Sequence, residues 1–136
     1  MAVIPPVPDG NDSFFWDGVA GGRLLIQRCS RCGVLRLPAV PMCGACHSTE
    51  WDTVQSEGRG RVLSWIVSRH PRPEVDEPAR LVVLVQLDEG VRLVANLVGV
   101  EVGAGSFNDR RVELWFGEVD GVTLPQFCLV ADGVRR

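Results

Sequence analysis

Three observations predict a mainly β protein: a short N-terminal helix, a cysteine ribbon that binds a metal, then a five-stranded barrel. First, four cysteines stand as Cys29-x2-Cys32-x10-Cys43-x2-Cys46, the spacing of two metal knuckles. Second, from residue 58 onward short apolar or alternating runs recur between glycine- and acid-rich turns, as in small all-β domains. Third, no convincing helix appears in that region. The division expected is an extended lead-in and helix at 1–22, the ribbon at 23–54, the barrel at 55–130 and a tail at 131–136.

The elements follow in order. Pro5, Pro6 and Pro8 make the lead-in extended. Asp12 or Ser13 is placed to cap a helix running to about Ala20, and Gly21-Gly22 stops it. Two turns of helix carrying Phe14, Phe15, Trp16 and Val19 either pack on their own domain or serve in part as a docking surface, since aromatics are enriched at interface cores. Leu24–Ile26 reads as a strand entering the first knuckle, Val34–Leu37 as the return strand ended by Pro38, and Trp51–Val54 as the exit strand. Gly58-Arg59-Gly60 reads as a turn and Arg61–Arg69 as a strand. His70–Pro78, rich in proline and acid, reads as a loop. Leu81–Leu87 is a near-continuous apolar run, the mark of a buried strand, and Asp88-Glu89-Gly90 turns it into Val91–Leu97. Gly99–Asp109 is loop-like. Val112, Leu114 and Phe116 alternate with Glu113 and Trp115, the period of a half-buried strand. Asp120-Gly121 is a second hairpin turn, and Val122–Val130 is the last strand, with Pro125 at an edge or bulge. Five strands allow a small closed barrel or a small sandwich, and with one long connection they fit a Greek-key barrel of the OB type.

Four thiolates from two knuckles form a tetrahedral cage that suits Zn2+, and with four protein ligands no position stays open for substrate, so the site is structural. A single iron fits the same cage; zinc is favoured because nothing else in the chain points to electron transfer. Two disulfides are the alternative without metal. His47 follows Cys46 but is not needed as a ligand. Cys128, between Phe127 and Leu129, reads as an inert packed thiol. No P-loop, dinucleotide fingerprint, nucleophile elbow or H-E-x-x-H appears, so no catalytic residue is assigned.

Composition bounds the rest. The chain has 136 residues and a net charge of −3, and every one of its 14 basic residues is arginine. No apolar run approaches the ~20 residues of a membrane helix, and the opening MAVIPPVPDGND lacks a basic n-region. The expectation is a cytoplasmic protein in a reducing compartment, with thiols free for metal. A chain this short has little room for a deep substrate pocket beside a core, which points to work alongside something larger. Arginines cluster without acids in two stretches: Arg23, Arg28, Arg31 and Arg36, then Arg59, Arg61, Arg69 and Arg72. The first set offsets the negative charge of a thiolate-bound metal. The second is a candidate site for phosphates, since arginine contacts them bidentately.

The aromatic helix (SFFWDGVAGG), the cysteine module (CSRCG…PMCGAC), the W-D before G-R-G and the closing L-P-Q-F together resemble the domain-of-unknown-function-35 family over residues 10–130. The resemblance implies a rubredoxin-like zinc ribbon joined to an OB-fold barrel, with Cys29, Cys32, Cys43 and Cys46 as the metal ligands. It also implies a subunit that accompanies thiolase-superfamily or related acyl-CoA enzymes and helps form their acyl-CoA site. Some relatives serve thiolase-like aldolases that cleave steroid side-chain-CoA thioesters; others sit beside hydratases. The expected function is therefore a non-catalytic accessory subunit in a hetero-oligomer with acyl-CoA as the bound substrate. Phe14, Phe15, Trp16 and Trp115 are the candidate partner contacts. Two alternatives compete. One is a module for single-stranded nucleic acid, with Trp65 and Trp115 stacking and Arg59, Arg61 and Arg69 on phosphates. The other is a small enzyme using Cys128. The acid excess of residues 81–136 weighs against nucleic acid.

Overall fold

The structure, a computed structural model, describes residues 10–68, 79–103, 105–119 and 121–130. The lead-in before residue 10, most of the proline-rich loop with Arg69 and Arg72, the first residue of the second hairpin turn and the C-terminal tail lie outside those residues.

Helix α1 spans Ser13–Ala20 and ends at Gly21, whose N–H donates to the Asp17 and Gly18 carbonyls. Asp12 occupies the N-cap position, but its side chain makes no cap hydrogen bond. Its backbone carbonyl accepts the first helical bonds from the N–H groups of Phe15 and Trp16 at 3.0 and 3.3 Å, so the helix starts without the expected side-chain cap.

Strands β1 (Leu25–Cys29), β2 (Leu35–Arg36) and β3 (Trp51–Gln55) form an antiparallel sheet in the order β2-β1-β3. The return strand is shorter than its sequence suggests because the chain leaves the ladder before Pro38, which has no N–H to give it.

The five later strands are β4 (Arg59–Ser68), β5 (Arg80–Leu87), β6 (Arg92–Val98), β7 (Arg111–Val119) and β8 (Val122–Leu129). They close into a barrel in the order β4-β5-β6-β8-β7, with β6 and β8 parallel and every other neighbour antiparallel. That order is the Greek-key path of an OB fold.

Three details differ from the sequence expectation. The turn expected over Gly58–Gly60 narrows to Gly58 (φ +75°), because Arg59 and Gly60 already pair with β7. β4 carries a bulge between Val62 and Ser64. Val62 faces the core before it, while Trp65 and Val67 pack on the core after it, so one inserted residue shifts the inward set from even to odd positions. β5 is not buried on both faces: Leu81, Val83, Val85 and Leu87 are buried, while Val82 and Leu84 are half-exposed. Pro125 pairs with Phe116 one residue before the contact with β6 begins at Gln126, so it occupies a locally open flank of a strand that is otherwise central.

One core serves all three parts. Phe15 and Val19 of α1 and Leu24 and Ile26 of the ribbon join Val83, Val85, Val112 and Phe127 of the barrel. The passage from ribbon to barrel is tied as well. The Ser56 N–H donates to the Leu24 carbonyl at 2.8 Å. The Ser56 hydroxyl donates to Glu89 Oε1 and the Glu57 N–H to Glu89 Oε2, both at 2.9 Å.

Candidate functional site

The two knuckles bring Cys29, Cys32, Cys43 and Cys46 together, with all four sulfurs within 4.8 Å of one another. Cys29 leaves the end of β1, and Gly33, with φ +81°, lets the chain turn back so that its N–H reaches the Cys29 carbonyl at 3.0 Å. The second knuckle repeats the turn, with the His47 N–H on the Cys43 carbonyl at 2.9 Å.

The sulfurs of Cys29 and Cys46 lie 3.5 Å apart and those of Cys32 and Cys43 3.6 Å apart. A disulfide needs ~2.05 Å, so these are free thiols, and the disulfide alternative falls. Four ligands at ~2.3 Å around a tetrahedral centre set their sulfurs ~3.8 Å apart, close to what is found. The backbone N–H groups of Arg31 and Cys32 point at Cys29 Sγ at 3.4 and 3.5 Å, and the Ala45 N–H points at Cys43 Sγ at 3.4 Å. The Cys32 amide, helped by that of Arg31, draws the Cys29 thiol down to about 6, and the amides of Cys46 and Ala45 lower that of Cys43. Cys32 is pushed up to about 12: the Val34 amide lowers it, but burial and the neighbouring sulfurs outweigh that pull. Four crowded sulfurs ionise together only around a cation, which is what the donor set supplies for a structural zinc. His47 is not among the four.

The first arginine set is only partly a counter-charge for the metal. Arg28 is held by Asp52 through two 2.8 Å contacts across the β1–β3 register. Arg36 is buried, and its Nε donates to Gln27 Oε1 at 3.1 Å while a terminal nitrogen donates to the Val40 carbonyl at 3.2 Å. Gln27 Oε1 also accepts from the Val40 N–H at 3.1 Å. This clamp on the segment leading to Cys43 escapes sequence reasoning, because nothing local pairs Gln27 with Arg36 or Val40.

Of the second set, Arg59 and Arg61 lie among the described residues. Arg61 is engaged by Asp109 at 2.8 Å and by Gln86 at 3.3 Å, and Arg59 lies near Asp88. Arg111, from outside both sets, pairs with Asp88 at 3.0 and 2.9 Å and holds that carboxyl below its usual range. Trp65 is turned inward, edge-on to Phe107 with centroids 5.1 Å apart. It is therefore not a stacking platform, and the nucleic-acid alternative loses one of its two aromatics.

Among the partner candidates, Phe15 is 7% exposed and belongs to the core. Phe14 and Trp16 are half-buried, Phe14 against Trp51 with centroids 4.9 Å apart. Trp115 is 52% exposed on β7. Gly117 makes room for it: a Cβ there would lie 2.8 Å from the indole and would strike the Gln126 amide. Cys128 is half-buried, its thiol 3.7 Å from the Glu113 carbonyl. Among the described residues no helix is long and apolar enough to cross a membrane.

Residues 16–52 match the family model for the ChsH2 rubredoxin-like zinc ribbon domain, and residues 53–117 match that for the ChsH2 C-terminal OB-fold domain. A solved structure described as the Ltp2-ChsH2(DUF35) aldolase superposes with a TM-score of 0.83 at 40% identity, covering 91% of this chain and 98% of that one. A probable enoyl-CoA hydratase alpha subunit of Thermomonospora curvata is 39% identical over 90% of this chain and 38% of its own length. The 3-oxo-4,17-pregnadiene-20-carboxyl-CoA hydratase alpha subunit of Mycobacterium tuberculosis is 37% identical over 74% of this chain and 32% of its own. The chain thus spans about a third of the length of these curated relatives. With the four-cysteine cage, the Greek-key barrel and this near-complete overlap, the chain belongs to the DUF35 family, as a ChsH2-type zinc ribbon and OB-fold barrel.

Proposed function

We propose that this chain is a non-catalytic accessory subunit that binds a thiolase-superfamily enzyme and helps form its acyl-CoA site, in a retro-aldolase acting on steroid side-chain-CoA thioesters. The overlap with 98% of a chain from the Ltp2-ChsH2(DUF35) aldolase carries the reading, because that name couples this fold to a second protein and to carbon–carbon bond cleavage. The pregnadiene-carboxyl-CoA relative supports the steroid-CoA class. The chemistry of the chain agrees. Its metal cage is closed by four protein ligands, and the Cys128 thiol lies against the Glu113 carbonyl.

Trp115 is the contact proposed for the partner, since an exposed indole held in place by its own strand resembles the anchors that dominate interfaces. Co-expression with a thiolase-like enzyme encoded beside the chain tests this. The expected result is one complex that cleaves the acyl-CoA substrate only when both chains are present. Trp115→Ala should weaken the complex by about 2 kcal/mol, the usual size of a hot-spot loss. A monodisperse monomer indifferent to that enzyme would overturn the reading.

A further inference from the structure

The barrel's outer face carries an apolar groove that the metal centre does not use. It has a volume of about 480 Å3 and lies between α1, the Leu37–Ala39 stretch that follows β2, and the β5–β6 hairpin. Phe15, Trp16, Leu37, Leu84 and Val94 line it, together with Arg92. Antiparallel strands normally turn polar residues towards water. Here Leu84 and Val94 stand opposite each other, and Val94 is 62% exposed. Ile66, 61% exposed, extends the apolar face onto β4 opposite Val82.

Shape and charge together say what this surface takes. Small-molecule sites enclose roughly 70–90% of their ligand, whereas a groove running out onto exposed Val94 and Ile66 would leave one side of a ligand in water. A continuous apolar face of this kind fits a protein surface. Arg61 and Arg111 are held by carboxylates of the chain itself. Arg92 has no hydrogen-bond or ion-pair partner among the described residues. Asp12, the single carboxylate lining the groove, already has a partner of its own. Among the described residues the groove therefore offers an apolar trough and a positive charge with no carboxylate paired to it.

We propose that this groove docks a segment of the partner enzyme: an apolar ridge seated between α1 and the β5–β6 hairpin, with a partner carboxylate paired to Arg92. The inference rests on the accessory-subunit reading for the identity of the partner, and adds the surface and its chemistry.

The test titrates the thiolase-like enzyme against the full chain and against Val94→Asp, Arg92→Glu and Arg92→Lys. Val102→Asp, at a position 37% exposed outside the groove, is the control. Zinc content and melting midpoint report the fold of each variant. The expected result is affinity about tenfold weaker or worse for Val94→Asp and Arg92→Glu, with zinc and midpoint unchanged, partial recovery in Arg92→Lys and wild-type binding by Val102→Asp. If Val94→Asp loses its fold, Arg92→Glu decides. Wild-type affinity in Arg92→Glu and in a folded Val94→Asp overturns the groove proposal and leaves the accessory role standing; no complex with the wild-type chain overturns both. A fluorescent long-chain fatty acid that binds the wild type and not Val94→Asp, with enzyme affinity unchanged, replaces the proposal with a lipid site. Self-association lost in both groove variants, again with enzyme affinity unchanged, replaces it with a second copy.

Discussion

Arg36 and Gly60 show how much single positions carry. Arg36 is a buried guanidinium met by an amide and a carbonyl but no carboxylate, and one of its terminal nitrogens has no hydrogen-bond partner. An unmet buried donor costs ~1–3 kcal/mol, and what it secures is the segment between β2 and the second knuckle. Gly60 sits where β4 touches both β5 and β7. A Cβ there would run into the Gln86 carbonyl oxygen and come within 2.8 Å of Val85 Cγ1. Backbone atoms cannot swing aside as a side-chain tip can. Gly60→Ala should therefore destabilise the barrel by about 1–3 kcal/mol through overpacking, read as a lower denaturant midpoint. Gly44, whose Cβ would meet nothing within 4 Å, is the control position for the same change.

At the scale of elements, the ribbon depends on its metal and the barrel on its hydrogen-bonded closure. β2 has two residues and its sheet has three strands, too little to persist without a staple. Metal binding contributes on the order of 10 kcal/mol in small zinc modules. Cys32→Ala or Cys43→Ala should lose zinc and unfold residues 23–54, seen as exchange of the β1–β3 amides. Stoichiometric zinc in Cys32→Ala would contradict this. The cysteine spacing made the cage legible in the sequence, because C-x2-C knuckles are local and each closes within a few residues. The barrel strands were legible for the same reason: Asp88–Gly90 and the turn at Gly121 punctuate them. Partnerships between distant segments were not. Nothing local marks the Arg28–Asp52 pair, the parallel contact of β6 with β8, or the Glu89 link to Ser56 and Glu57. The bulge after Val62 also hid which of Leu63, Trp65 and Ile66 face inward, because an inserted residue erases the period of two on which such a reading depends.

Across the whole molecule, the helix, ribbon and barrel share one core, and Glu89 fastens the link between the last two. Glu89→Ala removes both acceptors at once and leaves the Glu57 N–H to water. The chain should keep its zinc and its barrel, yet amide exchange should quicken at Ser56, Glu57 and Gly58, whose own N–H leans on the Ser56 hydroxyl at 2.9 Å. Unchanged exchange there would mean that the shared core alone holds the two modules together. The Glu89 bridge has a mechanical consequence. A surface that grips the cysteine end and the barrel end of this chain meets two fixed points at a set spacing, so the chain works as a gauge block: whatever bolts to it inherits that spacing.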